Sequence, residues 1–267
     1  MQFPQCDDKK GHLNIGFQFI EHPFMLSNEE YYKIRRMLNR EQQAILKDIA
    51  MKKRKNIDKP FYLFFTGGAG TEKTFTAKAI FQMLMRIYNE HYNTDPLKPK
   101  GLILAYTGKA AYNAGGVIIH SALLMPFNKS SFIPLSNDVL DNLTQLYEEL
   151  RVVLIDEVSL IGSCFLYQID DRLRNIKHNQ TKYFGNIDII FCGHLCQAQP
   201  IQDSLIFEQP AIRRQPITCD FWQEHVKYYE FHIEMRQTNE IFIAILNRMR
   251  THNQTEDDLN YLNRNCI

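Results

Sequence analysis

An apolar run that leads directly into a glycine-rich loop constrains this chain more than any other feature. Residues 61–65 are apolar or aromatic, residues 66–72 contain three glycines, and a Lys-Thr pair at 73–74 opens a helical pattern. This is the order strand, phosphate loop, helix, in which backbone N–H groups and a helix N-terminus surround a phosphate. In the pattern G-x-x-x-x-G-K-[ST], the lysine reaches the outer phosphates and the hydroxyl ligates Mg²⁺. The candidate phosphate-binding residues are Gly67, Gly68, Ala69, Gly70, Thr71, Glu72, Lys73 and Thr74.

One position departs from that pattern, because Glu72 stands where a second glycine is expected. A carboxylate about 4 Å from a phosphate charge costs roughly 4 kcal/mol at an effective dielectric of about 20, and roughly 1 kcal/mol in water. Glutamate also lacks the freedom of glycine at positive φ. We therefore expect weakened phosphate binding, and a much smaller loss if the side chain turns toward solvent.

Four more strand patterns follow, separated by helical patterns, and together they predict the fold class. Strands that alternate with helices indicate an α/β fold with a mostly parallel sheet flanked by helices. Ligands bind such sheets at the carboxyl ends of the strands, and the polar motifs of this chain lie at those ends. The later strands are predicted at 101–106, 151–157, 186–192 and 227–234. The helices are predicted at 28–37, 40–55, 73–90, from 107, 138–150, before 175, 220–226 and 239–250.

Two adjacent carboxylates supply the second chemical signal. Four apolar residues at 152–155 lead straight into Asp156 and Glu157. A Mg²⁺-nucleotide site needs one carboxylate beside the metal and one to orient or deprotonate the attacking water. The alternative, a pair of surface charges, is disfavoured by the buried character of the run before them. Together with the loop, this pair predicts a nucleotide-binding P-loop fold.

Six stretches resemble, in order, the motif series of superfamily 1B DNA helicases. The resemblance is strongest to the Pif family (petite integration frequency), including the helicase portions of Helitron-type transposons. It covers about residues 38–250, which it identifies as a RecA-like ATPase lobe, with residues 1–37 as an extension and 251–267 as the start of the following region. The matching stretches are residues 38–42, 67–74, 107–111, 155–159, 193–201 and 236–237.

This resemblance implies an ATP-dependent 5′→3′ DNA helicase that acts with Mg²⁺ on single-stranded DNA, in DNA repair, recombination, telomere maintenance or transposition. Without the resemblance, His120 would be read as a packed or solvated histidine. The implied roles are Gln42 on the adenine, residues 67–74 on the ATP phosphates, Thr74 and Asp156 on Mg²⁺, Glu157 as catalytic base, Gln197 and Arg236 at the γ-phosphate, and Thr107, Lys109 and His120 on DNA.

Several departures from the family pattern leave an alternative open. His194 replaces an aspartate, Gln199 replaces a proline, and Ile118 replaces a threonine expected to contact DNA. The later motifs, which belong to a second RecA-like lobe, are not found in these 267 residues. The alternative is an inactive remnant that binds DNA weakly without ATP turnover. A P-loop ATPase of the AAA type is disfavoured, because Gln197 stands where those proteins usually carry an asparagine.

Composition limits the partners and the compartment. The formal net charge is +1, so bulk charge gives no signal for nucleic acid, and a DNA site must be a local groove. The six cysteines form no Cys-x-x-Cys pair, which favours reduced thiols in an intracellular protein. The polar first residues do not form a signal peptide, and no apolar run is long enough to span a bilayer.

A basic run at residues 52–55 has two readings. It could be a localisation or DNA-binding signal, but a solvated basic helix end is favoured. The resemblance nevertheless suggests a nuclear location. The sequence leaves the oligomeric state open.

Overall fold

A six-stranded sheet forms the centre of the structure, a computed structural model that describes residues 25–68, 70–91, 98–126, 134–195, 197–208, 219–235, 239–250 and 252–265. The sheet order is β3-β2-β4-β5-β1-β6. Every pairing between these strands is parallel, so the predicted mostly parallel sheet is confirmed. The strands are β1 (Tyr62–Gly67), β2 (Gly101–Ala105), β3 (Val117–Ile118), β4 (Val152–Asp156), β5 (Asp188–Cys192) and β6 (Val226–Phe231).

Helices cover both faces of this sheet, as a parallel sheet requires. In β1, Tyr62 and Phe64 pack with the core formed by the helices after β3. Leu63 and Phe65 point to the other face and pack with the first three helices. The helices are α1 (Asn28–Met37), α2 (Arg40–Lys55), α3 (Lys73–His91), α4 (Gly108–Ala114), α5 (Ile119–Ala122), α6 (Asn137–Leu146), α7 (Ser163–Ile176), α8 (Cys219–Glu224), α9 (Glu240–Arg250) and α10 (Glu256–Asn265).

Four predicted boundaries were wrong by two residues or more, and one strand and two α-helices were not predicted. The helix expected at 220–226 ends at Glu224, and Val226 begins β6. The helix expected at 138–150 ends at Leu146, and the strand expected at 227–234 ends at Phe231. The strand expected from residue 186 begins at Asp188, because a 3₁₀ turn with Phe184 at φ 50° comes first. The unpredicted elements are β3, α5 and α10. No helix in the described part of the chain has the length and apolar character needed to cross a bilayer.

Three of the four residues in the basic run at 52–55 form ion pairs within the chain, whereas the sequence favoured a solvated helix end. Lys52 forms an ion pair with Asp48 at 2.7 Å, and Arg54 forms one with Glu90 at 2.9 Å. Lys53, unlike the exposed Lys52 and Arg54, is buried. The run is therefore not a free cluster of positive charge.

A buried ion pair joins α2 to the amino end of β5. Lys53 Nζ lies 2.9 Å from Asp188 Oδ1 and donates to the Lys59 carbonyl at 2.8 Å. The backbone N–H of Phe61 donates to the same carboxylate at 2.9 Å, and the Tyr88 hydroxyl donates to its other oxygen. Burial raises the pKa of Asp188, and these donors oppose that shift. Each charge is thus compensated, and α2 is fixed to the sheet at this point.

We predict that Lys53→Ala destabilises the fold by about 3–5 kcal/mol, because it leaves the Asp188 carboxylate buried without its cation. Lys52→Ala is the matched control. It removes an exposed ion pair on the preceding residue and should cost less than about 1 kcal/mol. Urea unfolding followed by circular dichroism measures both. Equal losses for the two variants would contradict the role given to the buried pair.

Candidate functional site

The phosphate loop connects β1 to α3 and depends on glycine at its first position. Gly67 has φ 149°, and a Cβ there would lie 2.5 Å from the Phe231 carbonyl oxygen. A side chain at residue 67 would therefore collide with β6. Lys73 opens α3 and donates through Nζ to the carbonyls of Gly67 at 3.1 Å and Gly68 at 2.8 Å. The ammonium group thus sits against the loop backbone. Ala69 lies outside the described residues.

Glu72 adopts the backbone conformation that the expected glycine would have. Its φ is 55°, which is the left-handed region that costs a non-glycine residue about 1–2 kcal/mol. Its carbonyl accepts hydrogen bonds from Thr76 N and Thr76 Oγ1, both at 3.0 Å, and this begins α3. Helix α3 thus begins directly after a strained glutamate. The expected weakening of phosphate binding stays a prediction.

Thr74 and Asp156 are in direct contact at the carboxyl edge of the sheet. Thr74 Oγ1 donates toward both carboxylate oxygens, at 3.1 and 3.2 Å. Asp156 ends β4 and is only 6% exposed. Cys192, a free thiol at the end of β5, lies 4.0 Å from Thr74 Oγ1. Burial raises the pKa of this thiol, so it is a neutral side chain beneath the pair.

This pair fits the ligand preference of Mg²⁺. A hydroxyl and a carboxylate are hard oxygen donors, and Mg²⁺ is commonly held by one or two protein oxygens, waters and substrate phosphates. Among the described residues, no group of three His, Cys, Asp or Glu side chains is arranged to hold a metal. A Mg²⁺ ion at this edge would therefore depend on nucleotide phosphates for the rest of its ligands.

Glu157 follows Asp156 and turns away from the strand with φ 52°. Burial raises the pKa of its carboxyl, the charge of Asp156 raises it further, and Lys109 lowers it. Gly193 lies against this turn, since a Cβ there would be 3.0 Å from Val158 N. The environment favours proton uptake by Glu157 relative to an ordinary glutamate.

Gln42 holds the phosphate loop from the other side. Its side chain is fully buried, and its Nε2 donates to the Thr71 carbonyl at 3.2 Å. Its Oε1 accepts from Asn39 N at 3.0 Å in the capping box of α2. In this arrangement both ends of the amide contact protein backbone, so the structure gives Gln42 a supporting contact that the sequence did not predict.

The segment after β5 lies at the same edge, with its glutamine exposed. Gly193 N donates to the Phe65 carbonyl at 3.1 Å, and Gln197 N donates to the His194 carbonyl at 3.0 Å. Further on, Asp203 accepts from the backbone N–H groups of Cys164 and Phe165 at 3.1 and 3.2 Å. These contacts fix both sides of the segment while the Gln197 side chain faces solvent.

The three predicted DNA contacts differ in their surroundings. Thr107 caps α4 by accepting from Ala110 N at 3.2 Å, and Lys109 is exposed on that helix. His120 is only 8% exposed. Its ring stacks on Phe165 at 4.9 Å and meets Tyr106 edge-on at 5.4 Å. His120 is therefore packed in an aromatic cluster, which is the arrangement expected from its own pattern without the resemblance.

Arg236 lies outside the described residues. The residue before it is described, and Met235 N donates to the Gly70 carbonyl at 2.8 Å. The chain after β6 therefore reaches the phosphate loop. The residue that precedes the last motif stretch thus contacts the phosphate loop.

Comparison with known proteins identifies the family of this chain. A family model described as PIF1-like helicase matches residues 37–257, most of the chain. The chain belongs to the PIF1-like helicase family. The matched range includes every predicted site residue, from Gln42 to Arg236.

Among curated proteins, the ATP-dependent DNA helicase PIF1 of Saccharomyces cerevisiae (strain YJM789) is 30% identical over 245 residues, which are 87% of this chain and 25% of that protein. The ATP-dependent DNA helicase RRM3 of Saccharomyces cerevisiae (strain ATCC 204508 / S288c) is 25% identical over 232 residues, 83% of this chain and 28% of that protein. The chain thus spans about a quarter of these PIF1-like relatives.

Solved structures agree on the fold. The crystal structure of a Pif1 helicase from Bacteroides in complex with ADP-AlF3 and single-stranded DNA superposes with a TM-score of 0.63 at 25% identity, covering 85% of this chain and 49% of that one. The Pif1 helicase from Candida albicans gives 0.63 at 24% identity, covering 85% and 47%. These PIF1-like structures confirm the RecA-like fold over about half of each neighbour.

We predict that Glu72→Gly raises the free energy of unfolding by about 0.5–1 kcal/mol. Relief of the left-handed strain at φ 55° exceeds the added backbone entropy of a glycine in the unfolded chain. Glu72→Ala is the control, since it removes the carboxylate but keeps a Cβ in the strained conformation. It should not stabilise. Thermal and urea unfolding compare the three proteins, and a gain in the alanine variant would assign the cost to the side chain instead.

Proposed function

We propose that this chain is the ATP-binding lobe of a PIF1-like DNA helicase, which hydrolyses Mg²⁺-ATP and couples hydrolysis to 5′→3′ movement on single-stranded DNA. The observation that carries the proposal is the contact between Thr74 and Asp156 at 3.1 Å, beside a lysine that bonds to the loop carbonyls. Family membership supports the same reading. Because the chain covers about half of the solved helicases, the activity is assigned to the lobe together with the rest of such a protein.

Each of the predicted ATP-site residues has a defined role in this proposal. Lys73 would exchange its loop carbonyls for the outer phosphates, which offer a stronger charge-assisted bond. Thr74 and Asp156 would hold Mg²⁺, which supplies charge neutralisation at the phosphates when bound. Glu157 would accept the proton of the attacking water, and its raised pKa makes it a stronger base than an ordinary glutamate. Gln197 and Arg236 would act at the γ-phosphate.

The adenine and DNA contacts have weaker structural support. Gln42 bonds to backbone through one amide N–H and one lone pair of Oε1, so its second N–H and second lone pair would serve adenine once the buried side chain becomes accessible. Lys109 is exposed and suits a DNA phosphate. His120 could reach a strand only at the edge of its aromatic cluster. Thr107 already uses its hydroxyl oxygen as a helix cap, and its hydroxyl proton remains a donor for a phosphate oxygen.

The second candidate is an inactive lobe that binds DNA weakly and does not turn over ATP. Glu72 favours it, since a glutamate replaces the glycine expected directly before the phosphate-binding lysine. His194 and Gln199 add two more departures. The two candidates differ in the measured affinity for Mg²⁺-ATP.

A titration of a fluorescent ATP analogue with Mg²⁺ tests the proposed site. Lys73→Ala should weaken binding by about tenfold or more, the value of a lost hydrogen bond to a charged group. Lys59→Ala is the matched control, because this exposed lysine precedes β1 at its other end and should leave affinity unchanged. Binding that is absent, or insensitive to Lys73→Ala, would favour the inactive lobe.

We predict that Glu72→Gln raises the affinity for Mg²⁺-ATP, by an amount between about fivefold and about a thousandfold, the limits set by water and by a dielectric of about 20. Because the loop already has the left-handed conformation, charge is the remaining obstacle. Glutamine should therefore recover most of what Glu72→Gly recovers. A gain seen with glycine alone would assign the loss of affinity to the backbone.

We also predict that these 267 residues by themselves do not unwind a duplex with a 5′ single-stranded tail. Strand separation needs two RecA-like lobes, and the chain spans about half of the solved PIF1-like helicases. Binding to single-stranded DNA should persist and should weaken as salt rises. A gel assay in which sub-stoichiometric protein with ATP and Mg²⁺ displaces a strand would contradict this prediction.

The cellular role proposed here rests on the resemblance. It comprises DNA repair, recombination, telomere maintenance or transposition. A nuclear location is part of the same proposal, and the basic run of α2 gives it little support, because three of its four charges are paired within the chain.

A further inference from the structure

The outward face of α4 carries an aromatic side chain that the site described above does not use. Tyr112 is 86% exposed, the largest value among the exposed large hydrophobic residues that the structure describes. The opposite side of α4 is buried through Ala110, Ala111 and Ala114. Tyr112 is therefore not part of the core, and its removal leaves the packing of α4 intact.

Charge on this face favours an anionic partner. Lys109 and Asn113 are exposed, and they lie three residues before Tyr112 and one after it, so all three share the solvent side of the helix. Helix α4 contains no acidic residue. Lys78 of α3 donates to the Asn113 carbonyl at 3.1 Å, which brings a second ammonium group to the carboxyl end of α4. Along the axis of α4, Tyr112 thus lies between Lys109 and the ammonium group of Lys78.

The position of α4 places this face beside the nucleotide edge. Ala105, the last residue of β2, pairs with Asp156 in the sheet, and α4 begins three residues later. Lys109 is close enough to Glu157 to lower the pKa of its carboxyl. Lys109 and Tyr112 lie three residues apart on the exposed face of α4, so a strand bound along this face would contact both side chains.

An exposed tyrosine alone is common on protein surfaces. An exposed aromatic ring between cationic side chains is the combination used by proteins that bind single strands without sequence preference, where bases stack on the ring and cations follow the phosphates. We propose that Tyr112 is a base-stacking contact for single-stranded DNA, with Lys109 on the neighbouring phosphate. This inference rests on the DNA binding in the proposed function and adds to it a residue and a mode of contact.

Fluorescence anisotropy of a labelled oligothymidine at several salt concentrations tests the inference. Tyr112→Ala should weaken binding by about tenfold, within the range of a lost base stack, without changing the salt slope. Tyr112→Phe should keep binding within about twofold. Lys109→Ala should weaken binding and reduce the salt slope by about one phosphate contact. Tyr32→Ala, which removes a half-exposed tyrosine of α1, is the control and should bind normally.

An oligonucleotide of the same length with abasic sites separates stacking from a general surface effect. The wild-type chain should lose affinity when the bases are removed, and Tyr112→Ala should lose clearly less. Equal base dependence in the two proteins, or a phenylalanine variant as weak as the alanine variant, would overturn the inference while leaving DNA binding in place.

Nucleotide affinity distinguishes this inference from the proposed function. Tyr112→Ala should bind Mg²⁺-ATP as the wild-type chain does. If the wild-type chain binds no single-stranded DNA, the stacking role falls together with the DNA part of the proposed function, whereas the ATP part is judged by Lys73→Ala.

Discussion

The parallel arrangement of the strands is the constraint on which the rest of the structure depends. Parallel strands cannot be joined by tight hairpins, so each connection crosses a face of the sheet and returns to the same end. All carboxyl ends therefore meet at one edge, where Ala105 pairs with Asp156 and Phe65 with Cys192. The loop after β1, the carboxylates after β4 and the segment after β5 become neighbours although about 130 residues separate the first from the last. The parallel topology of the sheet therefore brings these three candidate site segments to one edge.

Backbone strain is present at this edge, as it is at several loops elsewhere in the described residues. Glu72 and Glu157 have positive φ, at 55° and 52°; Glu72 immediately precedes α3, and Glu157 immediately follows β4. Such conformations persist only when surrounding contacts hold them. At Glu72 these contacts are the bonds from Thr76 to its carbonyl. The strain therefore accompanies the connections that place side chains over the edge.

Local patterns predicted the elements whose signals are short in range. The helices at 28–37 and 40–55, the loop after β1 and the carboxylates after β4 follow from neighbouring residues, and the structure contains them. What could not be predicted depends on distant contacts. The pairing of Lys53 with Asp188 joins residues 135 positions apart, and a basic run gives no sign of which lysine will be buried. Strand β3 has only two residues, too few to show the alternating pattern of a strand. The resemblance predicted His120 as a DNA contact, but it gave no sign that Tyr106 and Phe165 pack around the ring.

Helix α2 is attached to the rest of the molecule at both ends. Near its start, Gln42 bonds to the phosphate loop at Thr71, and near its end Lys53 is paired with Asp188 at the amino end of β5. These two anchors are about 17 Å apart along the helix axis at 1.5 Å per residue. A shift of α2 along its own axis would have to break the contact at one end or the other. The helix therefore links the phosphate loop to the opposite edge of the sheet, and its length sets the distance between these two contacts.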